Sequence, residues 1–120
     1  MKELGNFLAL EGLDGVGKST TIQGLREKGY TVLKTPPSEI ASIRTIFDSQ
    51  QLRVRFMYYL TGVMMAGDQA VVLSAHEKVF CDRYLLTTVA AHNAMGLEES
   101  FLSSLTPIFD GIPAPEATIL

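Results

Sequence analysis

A parallel β-sheet covered by helices on both faces, an α/β sandwich of three layers, is the fold this sequence predicts. Three observations predict it. Short runs rich in apolar and β-branched residues alternate with segments of helical spacing, which implies a parallel sheet buried on both sides. A glycine-rich segment joins the first such run directly to a helix. Finally, 47% of the 120 residues are apolar and 19% charged, enough to build a core.

The elements follow in order. Asn6 to Glu11 (NFLALE) reads as a buried strand ending at a glycine. Ser19 to Lys28, apolar at Ile22 and Leu25, reads as a helix stopped by Gly29. Tyr30 to Thr35 (YTVLKT) is rich in β-formers and is cut off by Pro36-Pro37, so it is a second strand. Ser38 reads as a helix N-cap, with Ile40, Ile43 and Phe47 on one side. A long helix follows from about Gln51 to His76, where Phe56, Leu60, Val63, Gly67 and Ala70 to Val71 fall at helical spacing. Val79 to Asp82 (VFCD) is a third strand. Helices are predicted over roughly Leu86 to Ala94 and Glu98 to Phe109, then a loop over Gly111 to Pro115. Ala117 to Leu120 reads as a core strand just begun, so residues 1–120 are expected to be the N-terminal part of one longer domain.

Composition narrows the function. A net charge of −3 gives no electrostatic reason to expect a nucleic acid as partner. No apolar run approaches the ~18 residues of a membrane span, and the first residues are not a signal peptide. Cys81 is the single cysteine, so no internal disulfide is available and a cytoplasmic location is expected.

Gly12-Leu13-Asp14-Gly15-Val16-Gly17-Lys18-Ser19 is a full match to the phosphate-loop pattern, placed between a strand and a helix as that pattern requires. Gly12, Gly15 and Gly17 let the backbone close on phosphate oxygens, and the loop N–H groups and helix N-terminus point at the anion. Lys18 neutralises the β- and γ-phosphates, and the Ser19 hydroxyl is a Mg²⁺ ligand. The bland alternative is a glycine-rich turn before an exposed lysine, and the strand–motif–helix order weighs against it. The motif specifies a nucleoside triphosphate, not a reaction.

Asp82-Arg83-Tyr84 ends the third strand. Ligands gather at that edge of an open parallel sheet, so Asp82 is expected to face the metal and Arg83 the phosphates. A strand-end salt bridge is the alternative, and the phosphate loop in the same chain tips the balance.

FLALEGLDGVGKST followed by VFCDRYLLTTVAAHNA resembles the thymidylate kinase family, and the closing APEATIL is similar to that family's Pro-Asp-Leu-Thr strand. The resemblance covers about residues 6 to 120. It implies a P-loop kinase fold and transfer of the ATP γ-phosphoryl, with Mg²⁺, to a pyrimidine nucleoside monophosphate, dTMP to dTDP first. A UMP/CMP-type kinase, a deoxynucleoside kinase and a non-catalytic nucleotide-binding fragment are the alternatives. By resemblance, Gly12 to Thr20, including Thr20 itself, form the phosphate loop. Asp14 faces the acceptor sugar, and Lys18, Asp82 and Arg83 are catalytic. Arg44 and Arg83 hold the acceptor phosphate, Tyr58 stacks on the acceptor base (Tyr59 in a register one residue on), and Thr87 and Thr88 line its pocket. Ser19 and Asp82 hold the metal. A second copy of the chain is a candidate partner, and neither nucleic acid nor membrane is expected.

The sequence departs from the family pattern at three places. Lys34-Thr35-Pro36-Pro37-Ser38 replaces Arg-Glu-Pro-Gly-Gly, and Gly62 stands where an arginine is expected. Both changes touch the acceptor site and are similar to UMP/CMP kinases. Gly15 stands where some members carry an arginine that others supply from a lid, which would follow residue 120. The 120 residues alone are therefore expected to be an incompetent kinase. Arg53 and Arg55 lie near the expected acceptor site but read as a solvated helix face; His92, about one turn after Thr88, reads as a surface histidine, with a place facing the base pocket as the alternative; Cys81 reads as an inert buried thiol. His76 and His92 have no metal-ligand spacing.

Overall fold

Successive strand residues point to opposite faces of a sheet, and here both sets are apolar. The computed structural model describes residues 2–12 and 16–120, with Val16 placed in a helix by its backbone alone. In β1 (Glu3–Leu10), Phe7 and Ala9 face one way and Leu8 and Leu10 the other. The second face packs with Phe80 and Val32 against Ile22 and Leu25 of α1 (Val16–Glu27). The first face joins Val79 and Cys81 of β3 (Val79–Asp82) to Phe56, Leu60, Val63, Ala66 and Ala70 of α4 (Leu52–Leu73). Helices thus cover both faces, as the sequence predicts.

The sheet has four strands in the order β2-β3-β1-β4, all parallel, with β2 spanning Thr31–Lys34 and β4 Ala114–Ile119. Registers pair Leu10 with Asp82 and Lys34 with Asp82, so three strands end at one level. That shared carboxyl edge positions the site. Between β2 and β3 lie α2 (Ser38–Ala41), α3 (Arg44–Asp48) and α4; between β3 and β4 lie α5 (Leu85–Ala94), α6 (Glu99–Ser104) and α7 (Thr106–Asp110). Among the described residues, no helix is long and apolar enough to cross a membrane.

Several boundaries differ from the sequence reading for physical reasons. β1 begins at Glu3 because a bulge at Asn6, φ 66°, lets Glu3 and Leu4 pair with Ala114 and Pro115. β4 accordingly includes Ala114 and Pro115, read as loop, because they pair with Glu3 and Leu4. Ser38 is the first helical residue, not the cap: Pro37 holds the cap position, and Ser38 Oγ donates to Glu39. The helix read over Glu98 to Phe109 breaks at Leu105, before Pro107, whose missing N–H suits the start of α7. Val71 is about half exposed and takes no part in the α4 stripe.

Gly67 marks the tightest helix contact. A Cβ there would lie 2.8 Å from the Tyr84 hydroxyl and 3.1 Å from Pro113 Cδ. That hydroxyl donates to the Pro113 carbonyl at 2.8 Å, and Tyr84 is buried with its ring edge-on to Phe7. Alanine at 67 gains about 1 kcal/mol in helix propensity but overpacks a fixed side chain, at about 1–3 kcal/mol. Gly67→Ala is expected to lower stability in urea unfolding by a net of up to ~2 kcal/mol. Unchanged stability would show that Tyr84 can move.

Candidate functional site

Two groups of charged residues meet at the carboxyl edge. The first lies at the glycine-rich segment between β1 and α1. Leu13, Asp14 and Gly15 lie outside the described residues, and of Val16 only the backbone is described. Gly12 turns with φ 111°, a conformation side chains resist, and its N–H donates to Thr87 Oγ1 at 2.9 Å. Gly17, Lys18, Ser19 and Thr20 form the first turn of α1, with Ser19 and Thr20 exposed. Lys18 Nζ lies 2.9 Å from Asp82 Oδ1. The angles miss those of a hydrogen bond, so two buried polar atoms share an ionic contact only. Beside them is a cavity of about 420 Å³, bounded by Gly12, Gly17, Lys18 and Thr21.

The Asp82-Arg83-Tyr84 turn is fixed by its backbone. Arg83 has φ 65°, in the left-handed region unusual for a side chain with a Cβ. Its N–H donates to the Leu10 carbonyl at 2.8 Å, and its carbonyl accepts from Thr35 Oγ1 at 2.9 Å and Cys81 Sγ at 3.2 Å. Burial pushes the Cys81 thiol well above its usual range, reinforced by Glu11 and Asp82. Glu11, which carries no motif, is 5% exposed and organises the next helix. Its carboxylate accepts from the N–H groups of Tyr84 (2.6 Å), Leu86 (3.0 Å) and Thr87 (3.2 Å), capping α5 from a distant strand end.

The second group surrounds a cavity of about 90 Å³ lined by Arg44, Arg55, Arg83, Tyr59, Thr87, Thr88 and His92. It adjoins another of about 350 Å³ that shares Arg44 and Arg83 and reaches Lys34 and Asp82. Asp48 ties the wall together. It accepts from the Tyr59 hydroxyl at 2.6 Å and pairs with Arg55 Nε at 3.3 Å and Arg44 Nε at 3.4 Å. Burial alone would raise the Asp48 carboxyl, but Tyr59, Arg55 and Arg44 together hold it below its ordinary range. Burial raises the Tyr59 phenol, and Asp48 adds to that.

Arg44, Arg83, Thr87 and Thr88 are thus together, as the sequence predicts of their positions. Thr87 also bridges to Gly12, and Thr88 donates its hydroxyl to the Tyr84 carbonyl at 3.0 Å. Tyr58 is elsewhere. Its ring stacks on Phe47, centroids 4.6 Å apart, and its hydroxyl donates to the Ile40 carbonyl at 2.7 Å, so it is core. Tyr59, one residue on, lines the cavity. Two residues read as surface are pocket walls: His92 is 1% exposed, and the Arg55 side chain is 16% exposed over the Tyr59 ring. Arg53 keeps the solvated face expected of it, paired with Glu98 at 2.8 Å. Gly62 is explained by contact: a Cβ there would sit 3.2 Å from Pro36 Cα and from Pro37 Cδ. The Pro-Pro segment and the absent side chain at 62 are one feature.

A family model described as thymidylate kinase matches residues 10–120. The probable thymidylate kinase of Pyrococcus abyssi is 32% identical over 97% of this chain and 64% of its own length. The thymidylate kinase of Caldicellulosiruptor saccharolyticus is 30% identical, with the same two coverages. Mitochondrial UMP-CMP kinase 2 of Homo sapiens is 37% identical over 60% of this chain and 16% of its own. The chain thus spans about 64% of the thymidylate kinase relatives. The crystal structure of thymidylate kinase from Ehrlichia chaffeensis matches with TM-score 0.70 at 20% identity, covering 98% of this chain and 70% of that one, a likeness of fold.

Proposed function

We propose, from the premise that the chain belongs to the thymidylate kinase family, that the whole protein transfers the γ-phosphoryl of ATP to a pyrimidine nucleoside monophosphate, with dTMP giving dTDP as the first choice. The observation that carries this is that Asp82, paired with Lys18 beside the cavity at Gly12 and Gly17, also borders the cavity lined by Arg44 and Arg83. One side offers a phosphate cradle, the other an arginine-lined pocket with an aromatic wall. Phosphoryl transfer asks for that arrangement: two anions brought together and their charge neutralised.

Lys18 holds the donor phosphates, and Arg83 with Arg44 holds the acceptor phosphate. A planar guanidinium fork matches phosphate oxygens. Thr87, tied to Gly12, keeps the two sites in register. The residues present fit a Mg²⁺ ion: Asp82 offers a carboxylate whose present partner is only ionic, and Ser19 an exposed hydroxyl. When bound, the ion would neutralise phosphate charge. Among the described residues there is no cluster of three acidic, His or Cys side chains, so phosphate oxygens and water would complete its shell. A cytoplasmic location and self-association belong to the same proposal.

The test is ADP formation by the whole protein with dTMP, dUMP, UMP, CMP and dCMP side by side. Because the Pro36-Pro37 wall occupies the space of a side chain at 62, base choice is expected to be relaxed. Discrimination should stay below about a hundredfold, or ~2.7 kcal/mol. No ADP above background with any of the five would sink the kinase reading. A stronger dTMP preference would show that the wall does not touch base choice.

A further inference from the structure

The sequence favours a surface position for both His92 and Arg55, yet they form one buried unit in the pocket. Arginine only donates hydrogen bonds. Arg55 Nη1 lies 2.8 Å from His92 Nε2, so that ring nitrogen accepts and carries no proton. His92 Nδ1 lies 2.8 Å from the Thr88 carbonyl oxygen, which only accepts, so Nδ1 carries the proton. The two contacts assign a single state, neutral imidazole protonated on Nδ1.

The place of Arg55 in the pocket follows from what the two cavities share. Arg44 and Arg83 border both, toward Lys34 and Asp82, which is the phosphoryl end. Arg55, Tyr59 and His92 border only the first, not the cavity that reaches Lys34 and Asp82. On α4, positions 55, 59 and 62 share one face, and 62 is closed by proline. Tyr59 offers its ring and has given its hydroxyl to Asp48. Arg55 is the charged donor at that end.

We propose that neutral His92 is a positioning residue that fixes the Arg55 guanidinium as a donor toward the base end of the acceptor. What fills the pocket rests on the kinase reading; the pairing itself does not. An unclamped arginine loses rotamer freedom when it meets a ligand. Arg55, held by His92, Asp48 and the Tyr59 ring, has lost it already in folding.

The groups facing His92 are Arg55, Tyr59 and the Phe56 ring from α4, Asp48 from α3 and the Thr88 carbonyl on its own helix. Burial pulls the imidazole below its ordinary 6.5 and Arg55 adds to this, outweighing Thr88 and Asp48. Protonation in acid would set an imidazolium against the guanidinium and release it. The acceptor phosphate takes up its own proton near pH ~6, so the control is His92→Gln, whose amide oxygen can accept from Arg55 but cannot ionise.

The experiment is steady-state kinetics of the whole protein over about pH 5 to 8, with melting temperatures for each variant and ¹⁵N NMR of the imidazole. Arg55→Met is expected to raise acceptor KM about tenfold or more, with ATP KM within about twofold. His92→Leu should raise acceptor KM in the same sense, and the double variant should be no worse than Arg55→Met. His92→Gln should recover most of the affinity lost in His92→Leu and flatten the acid limb beyond the phosphate's own. Independent, multiplying effects of the two single variants would overturn the proposal, as would unchanged acceptor KM in Arg55→Met. A proton on Nε2 in the NMR spectrum would overturn it whatever the activity. Absence of turnover with every nucleoside monophosphate in the unaltered protein would instead sink the kinase reading, leaving the NMR tautomer to decide the pairing.

Discussion

Replacing Lys18 by alanine is expected to lower phosphoryl transfer by the whole protein at least about a thousandfold, the scale set by removing a charge that stabilises phosphoryl transfer. The reason is placement. Lys18 sits in the first turn of α1, beside a cavity that Gly12 and Gly17 also border, with its ammonium on Asp82. Anions at a helix N-terminus are already favoured by the helix dipole and free N–H groups; the lysine adds the one full positive charge the loop carries. The Lys18 side chain is 14% exposed and that of Asp82 is 30% exposed. The side chains are partly exposed but the two contacting atoms are buried, so removing the ammonium also leaves the Asp82 carboxylate unpaired and costs some stability. Activity should nevertheless fall much further than stability: at temperatures where the variant is fully folded it fails in ADP formation. Lys18→Arg should not rescue, because a longer planar fork does not fit a cradle shaped for a point charge. Activity within about tenfold of the parent would remove Lys18 from the chemistry.

The strand and helix on either side of the glycine pattern and the strand before Asp82 were legible because their physics is local. A glycine pattern between a strand and a helix is contained in a dozen residues, and VFCD is a short apolar run with a carboxylate at its end. The acceptor pocket was not legible in the same way. Two of its walls, Arg55 and Tyr59, come from one face of α4, a helix apolar nearly all round that gives little sign of its rotation. An error of one residue turns a side chain by about 100°, which is the difference between Tyr58 in the core and Tyr59 in the pocket. Arg55 read as solvated because arginine usually is. Nothing in its neighbours on the chain shows that His92, 37 positions on, will bury it. The family pattern marked Gly62 as a loss; only the contact with Pro36 and Pro37 shows what replaces the missing side chain. The β4 boundary failed for a related reason, since Pro115 argues against a strand until its pairing with Leu4 is known.

Glu11 is the residue whose loss should cost the fold most. It follows β1 directly, is 5% exposed, and accepts three backbone N–H groups at the start of α5, 73 to 76 positions away. Those donors are orphans of a helix N-terminus, which no residue inside the helix can satisfy. The Tyr84 cap position makes no side-chain cap of its own. Alanine at 11 would leave all three partly or wholly buried and unpaired, together with a cavity. Each orphan costs about 1–3 kcal/mol, so Glu11→Ala is expected to lose about 3–5 kcal/mol in urea unfolding. Glu11→Gln is the finer probe. Its amide oxygen can keep Tyr84 and Thr87, which share Oε1, while its NH₂ would face the Leu86 N–H donor to donor. It should fall between the parent and alanine. The damage should reach the pocket as well, because α5 carries Thr87 to Gly12 and Thr88 to His92. Acceptor KM should therefore rise in Glu11→Gln even at temperatures where the protein is fully folded. A Glu11→Ala variant that unfolds at the parent's urea midpoint would show that water reaches the α5 N-terminus, and that the strand-end carboxylate is not what holds the helix in place.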